Sequence, residues 1–323
     1  MDLEPSDDQV ALRDGIRALL TDRYPMARVR EGYTVQMHDE LDAAGVFTLV
    51  RDGFAWADAA LVFEQLGEFL VPGPLVGSLL GAGLDAQPIV GVLEAPGAEG
   101  TIAVEHAQLL HDLLVVAGDD VHVVGVAGRL DHGSEPVPWP LDPLTPAWSL
   151  TWDRGAVRGT HQGAAGDVRR RGALLTAAFL VGAARRLTDL SVAHATSREQ
   201  FGRPIGSFQA VKHLLADMAV RTEVARAAVY AAAAHLDEPG VPGLDRAVSV
   251  AKMTAGEAAI ANGASATQVH GGMGFTWEVD VHLYLKRAWV LDTHFGSAGA
   301  HADAVADAVA DAVAVGHGPD GRR

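Results

Sequence analysis

Two stretches carry residue types suited to holding a diphosphate. One is Ser197-Arg198-Glu199-Gln200-Phe201-Gly202-Arg203-Pro204-Ile205-Gly206-Ser207-Phe208-Gln209, the other Gln268-Val269-His270-Gly271-Gly272-Met273-Gly274-Phe275. Each is a glycine-rich turn between long helical segments. Glycines bare the backbone N–H groups, helix N-termini are positive, and Arg is a bidentate phosphate donor. Taken alone, the first stretch also reads as an interhelical connection, with Ser207 as N-cap and Phe201 and Phe208 as core. Other candidates are weaker. Gly81 to Ala86 spells G-x-G-x-x-A, but Pro88 stands where the helix of a dinucleotide site must run, so a small-residue turn is the better reading. The 14 histidines are scattered, and pairs such as His106/His111 or His294/His301 lack ligand spacing, so no metal site is expected. Neither a G-x-S-x-G elbow nor a P-loop is present. Arg169-Arg170-Arg171 sits near a helix start, where the dipole disfavours cations. Meeting an anion and forming a solvated face are both open for it.

Composition bounds the elements that position these stretches. At roughly 150 residues per domain, 323 residues make about two domains. The 41 acidic against 25 basic side chains give a net charge of −16, which repels nucleic-acid and anionic lipid phosphates. Cysteine is absent, which removes disulfides, thiolate catalysis and Cys-based metal sites. The start Met1-Asp2-Leu3-Glu4-Pro5 lacks the regions of a signal peptide, and no apolar run approaches the roughly 18 residues of a membrane span, so a soluble, cytoplasmic protein is expected.

Apolar spacing predicts helices over 6–22, 35–44, 55–70 and 75–84, the third stopped by Val71-Pro72-Gly73-Pro74. From Gly100 to about Arg158 the pattern becomes β-branched, with a hairpin signature at Leu113–Val126 and a further strand at Trp148–Trp152. Long helical segments follow: an apolar stretch from Ala173 to Ala195, then Ser207 to about Leu236, Leu244 to Val269, and a shorter one from Trp277 to Thr293. They predict an antiparallel four-helix bundle. The tail alternates Val305, Val309 and Val313 with Asp303, Asp307 and Asp311, a two-faced helix stopped by Gly316 and Pro319. The fold class is mainly α with a small β middle domain.

On the motifs R-x-Q-F-G-x-x-I-x-x-F-Q and Q-x-x-G-G-x-G-F, and on this order of domains, the chain resembles the acyl-CoA dehydrogenase family. The resemblance runs over the whole chain in domain order and is specific from about Ala173 to Gly296. It implies an N-terminal helical domain (1–97), a reduced β domain (98–160) and a C-terminal helical bundle (165–316). It also implies FAD as cofactor, α,β-dehydrogenation of an acyl-CoA thioester and an acceptor such as electron-transfer flavoprotein. Arg198, Gln200 and Phe201 would contact the diphosphate side, Phe208 and Gln209 would line the same edge, and Gln268, Gly271 and Gly272 would hold the far end of the nucleotide.

The resemblance breaks at the base. The family needs a carboxylate to take the α-proton while hydride leaves the β-carbon. Its usual position opens an E-G-[TS] triplet, which here reads Phe295-Gly296-Ser297; its alternative position on the first bundle helix is Gly172. No catalytic residue is therefore assigned. Asp292, one turn before Phe295, is better read as a solvent-facing or Arg-paired acid. The flavin-covering segments T-E-x-x-x-G-S-D and W-I-[TS]-N are not found, and some 60 residues is short for that domain. These losses imply the base-lacking subunit of a hetero-oligomer, two copies each of two homologous chains. The longer partner would supply the base, and steroid or other bulky acyl thioesters would be substrates. The alternatives are a self-sufficient dehydrogenase with a relocated base and a non-catalytic scaffold that lost flavin.

Overall fold

The computed structural model describes residues 6–95, 100–126, 134–152, 154–238 and 240–316. The expectations placed on Met1–Pro5 and Pro319 lie outside these residues. The chain begins with helices α1 (Asp7–Arg23), α2 (Met26–Val29), α3 (Val35–Ala43), α4 (Trp56–Glu68) and α5 (Leu75–Gly81). Ser6 caps α1 through a reciprocal pair with Gln9, its Oγ accepting from the Gln9 N–H. Past α4, Val71-Pro72-Gly73-Pro74 breaks the helix as expected, and α5 ends at Gly81 rather than running to Leu84.

Strands β1 (Val90–Glu94), β2 (Gly100–Glu105), β3 (Asp112–Ala117), β4 (Asp120–Gly125), β5 (Glu135–Pro136), β6 (Ala147–Trp152) and β7 (Val157–His161) form the β region. The β3–β4 hairpin pairs Leu113 with Val124 and closes through Gly118 at φ 59°. It is the centre of a four-stranded sheet in the order β1-β3-β4-β7, in which β1 runs parallel to β3. Strands β2, β6 and β5 make a second, antiparallel sheet. β1 lies within the stretch that the periodicity assigns to the helical segment: its run is only five residues long, too short for apolar spacing to separate strand from helix.

The C-terminal half consists of α6 (Ala165–Ser197), a small hairpin of β8 (Glu199–Gln200) and β9 (Arg203–Pro204), α7 (Gln209–Asp237), α8 (Leu244–His270), α9 (Val281–Asp292) and α10 (Ala298–Gly316). Asn262 pins three of these helices together. Its Nδ2 donates to the Ala184 and Met218 carbonyls at 3.3 and 3.0 Å, and its Oδ1 accepts from Arg221 at 2.8 Å. With Arg170 of α6 bonded to Asp245 of α8 near the other end, α6 and α8 run parallel and α7 antiparallel. The N-terminal helices dock on this bundle at a glycine crossing. A Cβ on Gly182 would lie 1.8 Å from the Glu64 carbonyl oxygen, and one on Gly67 would lie 1.9 Å from that of Phe179. Only glycine at both positions allows α4 and α6 this approach. Buried Glu64 then accepts from Arg226 (3.2 Å) and Tyr230 (2.8 Å) of α7, so the charge taken inside at the crossing is paired.

Candidate functional site

The glycine-rich stretches meet at one end of the bundle. α6 ends at Arg198, an extended residue whose N–H donates to the His194 carbonyl, and the β8–β9 hairpin turns the chain through Phe201 (φ 53°) and Gly202 (φ 75°). α8 ends at Gly271, at φ 60°. Because α6 and α8 are parallel, their C-termini coincide, and the His194 and His270 rings stack with centroids 4.2 Å apart. That stack ties the Arg198 turn to the Gln268–Gly272 turn. Burial, the neighbouring His270 ring and Arg198 all push His194 below its ordinary value.

Most of the expected site residues are exposed on this end. Arg198, Gln200, Gln209, Gln268, Gly271 and Gly272 face solvent, and Cβ atoms on Gly271 and Gly272 would meet nothing within 4 Å. Phe201 is 92% exposed, which overturns its reading as core; its ring meets Phe208 edge-on at 6.1 Å. An apolar side chain held out at positive φ is an unusual expense for a mere connection. The Arg203 guanidinium lies 4.2 Å over the Phe208 ring, so this cation joins the group that the sequence singled out. Ser207 does not cap α7. A 3₁₀ turn over Ile205–Ser207 moves the N-cap to Phe208, and Ser207 Oγ is left buried with no partner among the described residues.

Basic side chains, an open glycine turn, an orphaned hydroxyl and the start of α7 converge here. The donor set fits the diphosphate of a dinucleotide such as FAD. His194 and Arg203 were missed by motif reading. The available signal was their position, one helical turn before Arg198 and opposite Gln200 in the hairpin.

At the opposite end the Phe295-Gly296-Ser297 triplet follows α9. Phe295 is buried at φ 55°, and its ring lies against Gly172 of α6: a Cβ on Gly172 would sit 2.3 Å from Phe295 Cε1. The two positions are far apart in sequence and adjacent in space, and neither bears a carboxylate. Lys252 braces the turn from α8, its Nζ donating to the Asp292 and Gly296 carbonyls at 3.0 Å each, while His301 Nε2 lies 2.8 Å from the Phe295 carbonyl oxygen. Asp292 is neither Arg-paired nor free: its Oδ1 accepts from the Ala298 N–H at 3.3 Å at the start of α10.

Phe295 also borders a cavity of about 330 Å³ between α5, β1, β2, α6 and α9. His294 Nε2 donates to Glu105 Oε1 at 3.0 Å on its wall. Burial pushes the Glu105 carboxyl up, but the neighbouring His294, His106 and Arg287 outweigh it and hold Glu105 below the ordinary range. The Arg169-Arg170-Arg171 cluster meets the protein's own acids: Arg169 bonds Glu94, Arg170 bonds Asp245 and Asp167, and Arg171 bonds Asp167. Among the described residues no group of three His, Cys, Asp or Glu is placed to hold a metal, and no helix is long and apolar enough to cross a membrane.

Comparison with known proteins gives this arrangement its setting. Residues 170–310 match the acyl-CoA dehydrogenase C-terminal domain. Acyl-CoA dehydrogenase IpdE2 of Mycobacterium tuberculosis (strain ATCC 25618 / H37Rv) is 34% identical over 310 residues, covering 88% of this chain and 92% of that protein. The chain belongs to the acyl-CoA dehydrogenase family. Its fold is that of solved relatives. A chain of the ChsE4-ChsE5 complex from Mycobacterium tuberculosis matches over 96% of this chain and 99% of its own, with a TM-score of 0.79 at 21% identity. The Tcur3481-Tcur3483 steroid acyl-CoA dehydrogenase G363A variant matches 95% and 99%, with a TM-score of 0.80 at 20% identity.

Proposed function

We propose that this chain is the base-lacking subunit of a hetero-oligomeric, FAD-dependent acyl-CoA dehydrogenase, two copies of it joining two of a longer homologue. The observation that carries the reading is the Phe295–Gly172 contact. Both positions at which the family seats its base converge on one spot, which is filled by a phenyl ring that accepts no proton. A dehydrogenase must then take its carboxylate from another chain. Two of the similar solved proteins are paired-chain complexes, and one of these is a steroid acyl-CoA dehydrogenase. They favour a partner of the same family and a steroid or other bulky side chain as the acyl group.

The role left to this chain is to hold the ADP half of FAD. Arg198 and Arg203 donate to the diphosphate, with Gln200, Phe201, Phe208 and Gln209 along the same edge and Gln268, Gly271 and Gly272 at the far end of the nucleotide. FAD, when bound, accepts the β-hydride and passes electrons to a carrier such as electron-transfer flavoprotein. This chain's residues orient the nucleotide so that the flavin reaches the partner's substrate site.

The test is purification of the chain alone and together with its longer homologue. The complex is expected to carry flavin and dehydrogenate an acyl-CoA, whereas the isolated chain does neither. An isolated chain that binds FAD one to one and turns over acyl-CoA overturns the reading. A second reading is favoured by Glu105, an ionised carboxylate on the wall bordered by Phe295: a self-sufficient enzyme with Glu105 as relocated base. Activity of the isolated chain that disappears in Glu105→Gln would establish it.

A further inference from the structure

The stack of His194 on His270 joins the two glycine-rich turns, and the chemistry of imidazole sets a condition on that join. His270 Nδ1 lies 2.8 Å from the Ala266 carbonyl oxygen, which only accepts, so Nδ1 carries the proton and donates. The His194 ring makes no hydrogen bond among the described residues. Its contact with His270, centroids 4.2 Å apart and planes 25° from parallel, is what holds it. Both rings are half-buried. Two neutral imidazoles stack stably, whereas two imidazolium rings face to face repel each other.

The surroundings add to that repulsion. Burial, then His270 of α8, then Arg198 at the end of its own helix disfavour a proton on His194. The 3₁₀ turns 205–207 and 271–275, packed on α6 and α8, carry no ionisable side chain. The other ionisable groups at this end are Glu199 and Arg203 of the hairpin and Lys212 and His213 of α7, and none of them acts on His194. Neither ring has an acidic partner among the described residues.

We propose that His194 is a positioning residue for the nucleotide: as a neutral ring it clamps the Gln268–Gly272 turn to the Arg198 turn, and protonation of the His194–His270 pair parts the turns and releases FAD. The inference rests on the reading of this end as the FAD half-site. It adds a condition that the arginines do not impose, because Arg198 and Arg203 keep their charge across the whole range in which a histidine titrates. The sign of the pH dependence separates this role from direct contact. A His194 that donated to the diphosphate itself would tighten binding as it gained a proton.

Flavin content of the complex with the longer homologue, measured after gel filtration at a series of values between about pH 8 and 5, tests the clamp. The wild type is expected to retain flavin at the upper end and lose it as the pH falls. His194→Phe keeps an aromatic face without a titrating group, and is expected to retain flavin across the range. His194→Ala removes the stack, and is expected to bind FAD about two- to tenfold more weakly at the upper end. A second measurement needs no flavin. In NMR spectra of the purified full chain, His194 is expected to titrate below the ordinary imidazole range and to move up in His270→Phe, with the Gly271 and Gly272 amides shifting in step with it. The clamp is overturned if those amides ignore the His194 titration, if His194→Phe loses flavin with pH as the wild type does, if His194→Ala binds as tightly as the wild type, or if wild-type binding tightens as the pH falls. A complex without flavin at every pH, in a chain whose amides still follow His194, refutes the half-site and leaves the clamp between the turns standing.

Discussion

The Phe295 ring occupies the volume that any side chain at Gly172 would need: a Cβ built there would lie 2.3 to 2.6 Å from three of its ring carbons. The two residues are a matched pair, a large group at one position and none at the other.

Gly172→Ala is therefore expected to destabilise the chain by about 1–3 kcal/mol through overpacking. Phe295→Ala alone is expected to cost about 3–5 kcal/mol as a cavity. Because the alanine methyl enters the space vacated by the ring, the double variant is expected to be less destabilised than the sum by at least about 1 kcal/mol. Urea denaturation of the four proteins measures the coupling.

Lys252 is expected to matter to the same turn. It is fully buried and burial lowers its ammonium to about 8, yet its Nζ satisfies the Asp292 and Gly296 carbonyls. Lys252→Met keeps the bulk of the stem and leaves both oxygens without this donor. A loss of about 2–4 kcal/mol is expected in denaturant titration, with faster exchange of the amides that follow α9.

Arg198→Ala is expected to lower FAD occupancy of the assembled complex without lowering the chain's own stability, since the side chain is exposed at the end of α6. Loss of a charge-assisted contact of about 1.5–3 kcal/mol corresponds to roughly 10- to 150-fold weaker binding. Visible flavin absorbance per complex measures it, and unchanged occupancy would show Arg198 to be a surface residue only.

Acid stability is expected to turn on His106. Burial pushes this imidazole down to about 4, with Arg287 adding to the effect and Glu105 and Asp142 opposing it. The folded protein thus binds the proton less tightly than the unfolded chain does, and unfolding takes up a proton between about pH 6.5 and 4. Stability is fully present above pH 6.5 and falls as the pH drops through that window, by on the order of 3 kcal/mol for this one group. His106 sits at φ 53°, which Asn tolerates. His106→Asn is expected to flatten the slope of unfolding free energy against pH, whatever its effect at neutral pH.

Much of this was legible before the fold was known. The change from apolar helical spacing to β-branched runs and back marks the helical, β and bundle segments. The Arg198 and Gln268 stretches stand out by residue type, and the absence of a proton acceptor from the Phe295-Gly296-Ser297 triplet is read from the triplet alone. Local patterning failed where a decision was made by long-range contacts. β1 is a strand because it pairs with β3, Ser207 loses its cap because the β8–β9 hairpin feeds a 3₁₀ turn, and the arginine cluster is absorbed by acids on β1, α6 and α8.

By itself the sequence determined which residue types are available: Arg and Gln beside glycine-rich turns, no thiols, and Phe and Gly rather than a carboxylate at positions 295 and 172. Periodicity and residue type are properties of a short window, so these could be read without coordinates. Only the tertiary structure decided what those residues do to one another. Running α6 and α8 parallel brings His194 onto His270 and so closes the two motifs into one site. Packing α9 back against α6 brings Phe295 onto Gly172. The crossings of rigid helices set these meetings, and a helix crossing is decided by the whole of two interdigitating faces rather than by any one stretch of residues.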